Sequence, residues 1–394
     1  MEVTKNDAAS IENSLEKLRT YIEKEQFRGY DPYDTLNSFF KFRYLGRLFP
    51  ILAIQFQKRN PINVRPILGI KKDHNPKALG LLLYAYSRLQ KHDPTKEYSK
   101  QIDFLFSYLA GHYSKGYSGY CWGYNFDWAS SGKYIKAFSP NIVVTAFIAK
   151  GIFAYYQVSQ DPKAYEVLKS IGSFITKDLH HTETREGTCI SYTTLGPDCC
   201  YNASLLAAQT LAYIYSITRE PAYKNVVEKA VDFVVKKQFA DGHWNYSMEI
   251  ASGKEREQID FHQGYILDSI KECIYYGGLD SSKYEGALAK GMDFYKNRQF
   301  FEDGRSKWRI PKIYPVEIHN QSQGIITFSG DERYRPFAVK IAGWTQTNMQ
   351  GKKGNFYYRK LRICTNRISY MRWSQAWMFV ALTELWISLQ AKKH

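Results

Sequence analysis

The chain has 394 residues, with 54 Lys and Arg against 38 Asp and Glu, for a formal charge of +16 at neutral pH. Aromatic residues make up 16% of it, 32 Tyr, 23 Phe and 8 Trp, enough rings to pack many helices and to line a surface that stacks on sugars. The basic excess is dispersed, with no helix-turn-helix, zinc finger, RNA-binding aromatic signature or sustained Lys/Arg block, which excludes a nucleic-acid partner and leaves anionic glycans or a peripheral membrane surface.

No Gly-, Ser- or Pro-rich stretch is long enough to be an interdomain linker, so residues 1–394 are read as a single domain. The start, Met1 to Ser10, has no apolar core of signal-peptide kind, and no run of about eighteen apolar residues is expected to cross a membrane. With six Cys at irregular spacing read as reduced thiols, the chain is expected to be cytoplasmic.

In chain order, the first elements are a helix over Ile11–Gln26, the turn-rich Arg28–Asp34 segment, a short helix after Tyr33, a helix over Leu45–Gln57 and an apolar helix over Pro76–Leu89. From there one sentence repeats. An amphipathic charged helix, then a long loop, then a helix apolar on nearly all sides recur down the chain. The charged helices are Lys96–Gly111, Ala164–Asp178, Tyr223–Gln238, Tyr284–Arg298 and Arg333–Thr347. The apolar ones are Asn141–Tyr155, Asn202–Ile214, His262–Ile274, Asn320–Phe328 and Ser374–Leu389, and their first residues lie 61, 60, 58 and 54 positions apart.

Helices apolar all round are buried and amphipathic ones face water. The pattern therefore predicts an all-α (α/α)6 toroid, with the apolar helices as an inner ring and room for a seventh hairpin at the N-terminus. The long loops then gather at the end where inner helices begin, with unpaired backbone amides pointing into the bore. Function is expected there.

The loops carry the candidate chemistry. In Tyr117–Lys136, Trp122, Asn125 and Trp128 offer ring faces and an amide to a pyranose, and Asp127 is the preferred acid or base. His262 with Asp260, His319 with Glu317, or Tyr358 are the candidates to answer from the opposite side. Arg359 and Arg372 are expected to fork onto a substrate carboxylate. Asp34, Trp244, Trp373 and the inner-helix openers Asn141, Asn202 and Asn320 complete the expected binding surface. The repeated Asp241-Gly242 and Asp303-Gly304 pairs read as turns, Cys199-Cys200 as small residues opening an inner helix, and His180-His181 as solvated. No metal site and no cofactor is expected, since phosphate loops, His-Glu-x-x-His and Cys-x-x-Cys are absent.

The paired helices and the Asp-Gly-x-Trp turn resemble the six-hairpin glycosidase-like toroids, which include unsaturated glucuronyl hydrolases and the helical domains of polysaccharide lyases. Asp31-Pro32-Tyr33-Asp34, Asn125-Phe126-Asp127-Trp128 and Met371-Arg372-Trp373-Ser374-Gln375-Ala376-Trp377 look like proteins of bacterial polysaccharide-biosynthesis clusters. Gln238-x-x-Asp241-Gly242-x-Trp244 also resembles the turns of triterpene cyclases and protein prenyltransferases, but their Asp-rich and zinc-ligand sets are missing. The resemblance implies glycan work. The expected function is hydrolysis, elimination or epimerisation of an acidic, uronate-containing polysaccharide, oligosaccharide or precursor; the alternatives are a non-catalytic glycan-binding scaffold or an isoprenoid-processing toroid.

Overall fold

The computed structural model describes residues 4–46, 48–129 and 134–390. Residues 1–3 of the charged N-terminus and 130–133 of the aromatic loop lie outside it, as do Arg47 and residues 391–394. Thirteen α-helices are described: α1 (Lys5–Lys24), α2 (Leu48–Arg59), α3 (Pro76–His92), α4 (Ser99–Gly111), α5 (Ile142–Ser159), α6 (Pro162–Lys177), α7 (Tyr201–Thr218), α8 (Pro221–Val235), α9 (His262–Gly277), α10 (Glu285–Gln299), α11 (Ile318–Ser329), α12 (Arg335–Met349) and α13 (Trp377–Gln390).

The odd-numbered helices from α3 to α13 form the inner ring. Each packs on the next, and α13 packs back on α3, so the ring is closed. Outside it, α4, α6, α8, α10 and α12 each pack chiefly on the inner helix before them, and α1 packs on α13. Six hairpins result. The seventh hairpin admitted at the N-terminus does not form, because α2 stands apart from both layers, at the end of the ring where the inner helices begin.

Local chemistry explains the alternation. Inner helices open on residues that satisfy their first amides: the Asn75 and Asn141 side chains accept from Ala78 N and Val144 N. They end abruptly, with Gln160, Arg219 and Gly278 in the left-handed region at φ 54°, 59° and 61°. Pro162 and Pro221 then start the next outer helices, where a missing N–H costs nothing. Helix α5 is, by length and composition alone, apolar enough to cross a membrane, contrary to expectation; two-thirds of it is buried inside the ring.

A repeated clamp sets the long loops. Gln263 accepts from Trp244 N (2.9 Å) and donates to Trp244 O (2.7 Å). Gln375 does the same for Phe356, and Gln321 accepts from Ser306 N and donates to Gly304 O. Each turn glycine then presses on the next outer helix. A Cβ on Gly242 would sit 2.3 Å from Lys290 O, and one on Gly354 2.3 Å from Lys17 O. The second contact, with the paired Ser14 and Gln350 side chains (2.8 Å), joins the last hairpin to α1 by the joint used between neighbours elsewhere.

Short strands stiffen these loops: β1 (Trp128–Ala129) with β2 (Tyr134–Ile135), and β3 (His181–Thr184) with β4 (Gly187–Ile190). Next come β5 (Cys199–Cys200), β6 (Ser247–Met248) and β7 (Glu255–Arg256), and then β8 (Val316–Glu317), β9 (Arg359–Lys360) and β10 (Thr365–Asn366), each set forming a three-stranded antiparallel sheet. All six cysteines are free. Further along the inner helices, part-buried polar contacts cross the ring, Lys150 and Gln209 on Glu272 (2.7 and 2.6 Å) and Gln323 on Asp268 (2.7 Å). At the loop end the first turns of the inner helices surround the candidate chamber.

Candidate active site

Three ion pairs form the chamber wall. In β8 and β9 the register sets Glu317 directly opposite Arg359, and Arg359 Nε donates to Glu317 Oε2 at 2.6 Å. The other oxygen, Oε1, accepts from Trp373 Nε1 at 2.8 Å. Arg372, in the π-helical stretch Met371–Ala376 that precedes α13, forks onto both oxygens of Asp31 at 2.6 and 2.7 Å. Arg65 donates to Asp34 Oδ1 (2.7 Å), Tyr370 OH (2.9 Å) and Asp31 O (2.8 Å). Burial, opposed by Arg65, pushes the Asp34 carboxyl up to about 6.

The histidines sit differently. His262 and His319 lie in the first turns of the adjacent helices α9 and α11, and both rings stand 4.2 Å from the half-buried Phe261. His262 Nδ1 is 2.5 Å from Asp260 Oδ1, and Asp260 also receives Gln258 Nε2 at 2.9 Å. Burial raises the Asp260 carboxyl, but His262 and Arg309 outweigh it and hold it below the usual range. His319 Nε2 is 2.6 Å from Tyr265 OH, while its Nδ1 is buried without a partner. Burial first, then Lys77, Arg372 and His262, holds His319 well below the ordinary imidazole value, so it is neutral at physiological pH.

Lys77, in the first turn of α3, reaches the same floor. Its Nζ lies 4.2 Å from the Phe147 ring and 5.3 Å from Trp377, with no hydrogen-bond partner among the described residues. Burial and then Arg372 hold it well below the usual lysine value. Around the mouth the rings of Tyr33, Tyr124, Tyr246, Phe261 and Trp373 supply the stacking surface. Tyr33 lies 5.6 Å from Trp373, and Lys58 of α2 bonds to the Tyr33 hydroxyl.

The structure thus brings together Asp34, Asp260, His262, Glu317, His319, Tyr358, Arg359, Arg372 and Trp373. The expected roles of several change. Arg359 and Arg372 were to grip a substrate carboxylate, but each is already satisfied by Glu317 or Asp31. Glu317 was to serve His319, yet Tyr265 does so, because both Glu317 oxygens are taken. Tyr358 is fully buried, its hydroxyl without a partner. Asp127 lies in the rim loop, where its oxygens accept from Tyr134 OH and Ala137 N (2.8 Å).

Trp122 and Trp244 cannot meet a ligand, since both are core residues whose indoles donate to Leu109 O (3.1 Å) and Val234 O (2.8 Å). Asn141 caps α5, Asn202 lies buried against Cys200, and Asn320 pins Lys307 O and Trp308 O at 2.8 Å each. Asn125 is held between Asp73 and Asn75 at the rim, and Trp128 stands half-exposed on β1. Residues the sequence reading missed are Lys77, Asp31 as a partner of Arg372, Arg65, Phe261 and Tyr265. A lysine in the first turn of a helix expected to be apolar all round was the available signal for Lys77. His180 and His181 hold no metal set, and no cluster of three or more metal-ligating side chains occurs among the described residues.

Fold and site together define a six-hairpin (α/α)6 toroid with its candidate site at the inner-helix N-termini. No family model matches the chain, and no curated protein matches it in sequence. Among solved structures it is similar to cellobiose 2-epimerase from Bacillus thermoamylovorans, at 16% identity and TM-score 0.62 over 80% of this chain and 87% of that one. A family 76 α-mannanase from Bacteroides thetaiotaomicron superposes at 13% identity and TM-score 0.61 over 79% and 85%. An unsaturated glucuronyl hydrolase specific for heparin covers 96% of both chains at 10% identity and TM-score 0.59. These likenesses share the fold.

Proposed function

We propose that this protein is a sugar-processing enzyme that moves a proton on and off a saccharide carbon, an epimerase-type reaction, with His319 as the base and His262 as the acid. One observation carries the reading. The chamber's carboxylates Asp31, Asp34 and Glu317 are all committed to arginines, whereas each of the two histidines keeps one ring nitrogen without a protein partner among the described residues.

Hydrolysis by two carboxylates needs a proton-bearing acid and an ionised partner flanking the bond. Carboxylates whose oxygens are already taken by guanidinium, indole and backbone donors are not free to meet a glycosidic bond in either role. Inversion at a carbon next to a carbonyl needs a group that removes the proton from one face and another that returns one to the opposite face. His319, kept neutral, is fit to accept a proton. The Asp260 contact fixes the tautomer and orientation of His262 and stabilises it when it carries one. For an open-chain reducing sugar to reach both imidazoles, the Phe261 ring, which stands 4.2 Å from each, has to swing aside, and Lys77 is then near the developing enolate oxygen. Lys77 and the +16 charge also favour a second reading, β-elimination from a uronate, which begins with the same proton abstraction.

Incubation with neutral reducing disaccharides and with uronate oligosaccharides in D2O, followed by NMR, separates these readings. Deuterium at the carbon next to the carbonyl with a new epimer is expected, and His262→Asn and His319→Gln are each expected to lose about 10²–10⁴-fold in rate. Unsaturated uronate without an epimer would shift the assignment to elimination. New reducing ends without deuterium on carbon would refute both.

A further inference from the structure

Residues 39–72 make an excursion between α1 and α3 that the hairpins do not need, and its surface is the reverse of what a water-facing helix shows. Along α2, Leu48, Leu52 and Phe56 recur at four-residue spacing and are 70%, 61% and 67% exposed, while the opposite face buries Pro50, Ile54 and Gln57. Phe39, Phe40, Phe49, Ile62 and Ile67 extend the apolar surface on both sides of the helix. Of the 21 large exposed hydrophobics among the described residues, nine fall between Phe39 and Ile67. Further exposed apolar tips, Phe138, Leu195, Ile313 and Ile363, stand on loops at the same end of the ring. Contiguous apolar surface of this kind marks an interaction face.

Charge identifies the occupant. Between Asp34 and Asp73 there is no Asp or Glu, while eight Lys and Arg fall in that stretch; Arg65 is buried on Asp34 and Lys72 pairs with Glu25, which leaves Lys41, Arg59 and Lys71 exposed without an ion pair among the described residues. A second copy would set this basic surface against itself without a carboxylate to meet it, which charge repulsion opposes. An apolar face rimmed by Lys and Arg matches the acyl and headgroup layers of an anionic membrane. The excursion is also tied to the site, through Lys58 on Tyr33 and Tyr33 on Trp373.

We propose that the mouth end of the toroid docks on an anionic lipid bilayer, with the outward face of α2 and Phe39, Ile62 and Ile67 entering the interface and Lys41 and Arg59 meeting the headgroups. Docking this way sets the chamber opening at the headgroup layer. The inference stands apart from the proposed chemistry, because it uses neither histidine.

The test is flotation of the purified full chain with vesicles of phosphatidylcholine alone or of equimolar phosphatidylcholine and phosphatidylglycerol, at low and high salt. The parent is expected to float with the anionic vesicles at low salt and to lose binding as salt rises. Leu52→Glu/Phe56→Glu and Lys41→Glu/Arg59→Glu are each expected to lower the bound fraction at least about tenfold at an unchanged melting temperature, since all four side chains are exposed. Should the first variant melt below the parent, Leu52→Ser/Phe56→Ser makes the same comparison more gently. Failure of the parent to float, or equal flotation of both variants, would overturn the proposal. So would a parent dimer in sedimentation that Leu52→Glu/Phe56→Glu dissociates, which would give the face to a second copy. Equal binding to neutral vesicles, unaffected by Lys41→Glu/Arg59→Glu, would remove the anionic requirement and with it the proposal as stated.

Discussion

Asp31→Asn tests the ion-pair wall most directly. Asp31 and Arg372 are 4% and 2% exposed, and the guanidinium spans both carboxylate oxygens at 2.6 and 2.7 Å. The amide keeps the shape but leaves a buried cation beside Lys77 without its counter-charge, and breaking a buried pair from one side destabilises by about 3–5 kcal/mol. With an unfolding entropy of about 2.1 cal/mol/K per residue, 394 residues give roughly 0.8 kcal/mol/K, so the melting temperature should fall by about 4–6 °C. Calorimetry and denaturant titration of the parent, Asp31→Asn, Arg372→Met and the double variant complete the cycle. Removing both charges should restore much of the loss, giving a coupling of about 2 kcal/mol or more. A drop below about 1 kcal/mol for Asp31→Asn, or a double variant no better than the sum of the singles, would refute the reasoning, because a solvated pair behaves that way.

Three further outcomes follow from the same geometry. His319 has a folded value below 6.5, so in that window the unfolded chain binds a proton that the native one refuses; stability is therefore full above pH 6.5 and falls on acidification, by up to about 1.4 kcal/mol per pH unit. Asp34, raised to about 6, acts in the opposite sense between 3.8 and 6, so the measurement is the difference between parent and His319→Gln melts from pH 7 to 5, in which Asp34 cancels. Gly354→Ala, at φ 89° and against Lys17 O, should lower stability by about 1–3 kcal/mol, while Gly343→Ala, with nothing within 4 Å, should raise it by about 0.4–1 kcal/mol; denaturant midpoints decide. Asp127→Asn should change kcat/KM less than about tenfold, since its oxygens are occupied within the rim loop, and a loss of the size seen on removing a proton-transfer group would restore Asp127 to the chemistry.

Much of the architecture is legible in the residue order, since burial on one face or on all faces is a one-dimensional signal. The inner helices opening near Asn141, Asn202, His262, Asn320 and Ser374 lie where the pattern puts them, within a few residues. Their count, their alternation with charged outer helices and the gathering of long loops at one end follow from that period alone. The site was only half legible. Many titratable groups of the chamber could be listed from the loops, though not Lys77, Arg65 or Tyr265, but Glu317 belongs to Arg359 because β8 and β9 pair in one register, and Asp31 meets Arg372 across 341 positions of chain. Trp122 and Trp244 show the converse: an Asp-Gly-x-Trp turn and an aromatic loop look alike in sequence whether the indole faces the bore or the core, and the backbone carbonyl that receives each N–H decides it. The sequence by itself determined the ring, the end where the long loops gather and the residue types available there, because hydrophobic period and turn chemistry are local. Which arginine neutralises which carboxylate, which histidine keeps an unpartnered nitrogen, and that α2 turns its apolar face outward were decided only by the tertiary structure, because charge pairing and burial depend on what closure of the ring brings within a few ångströms.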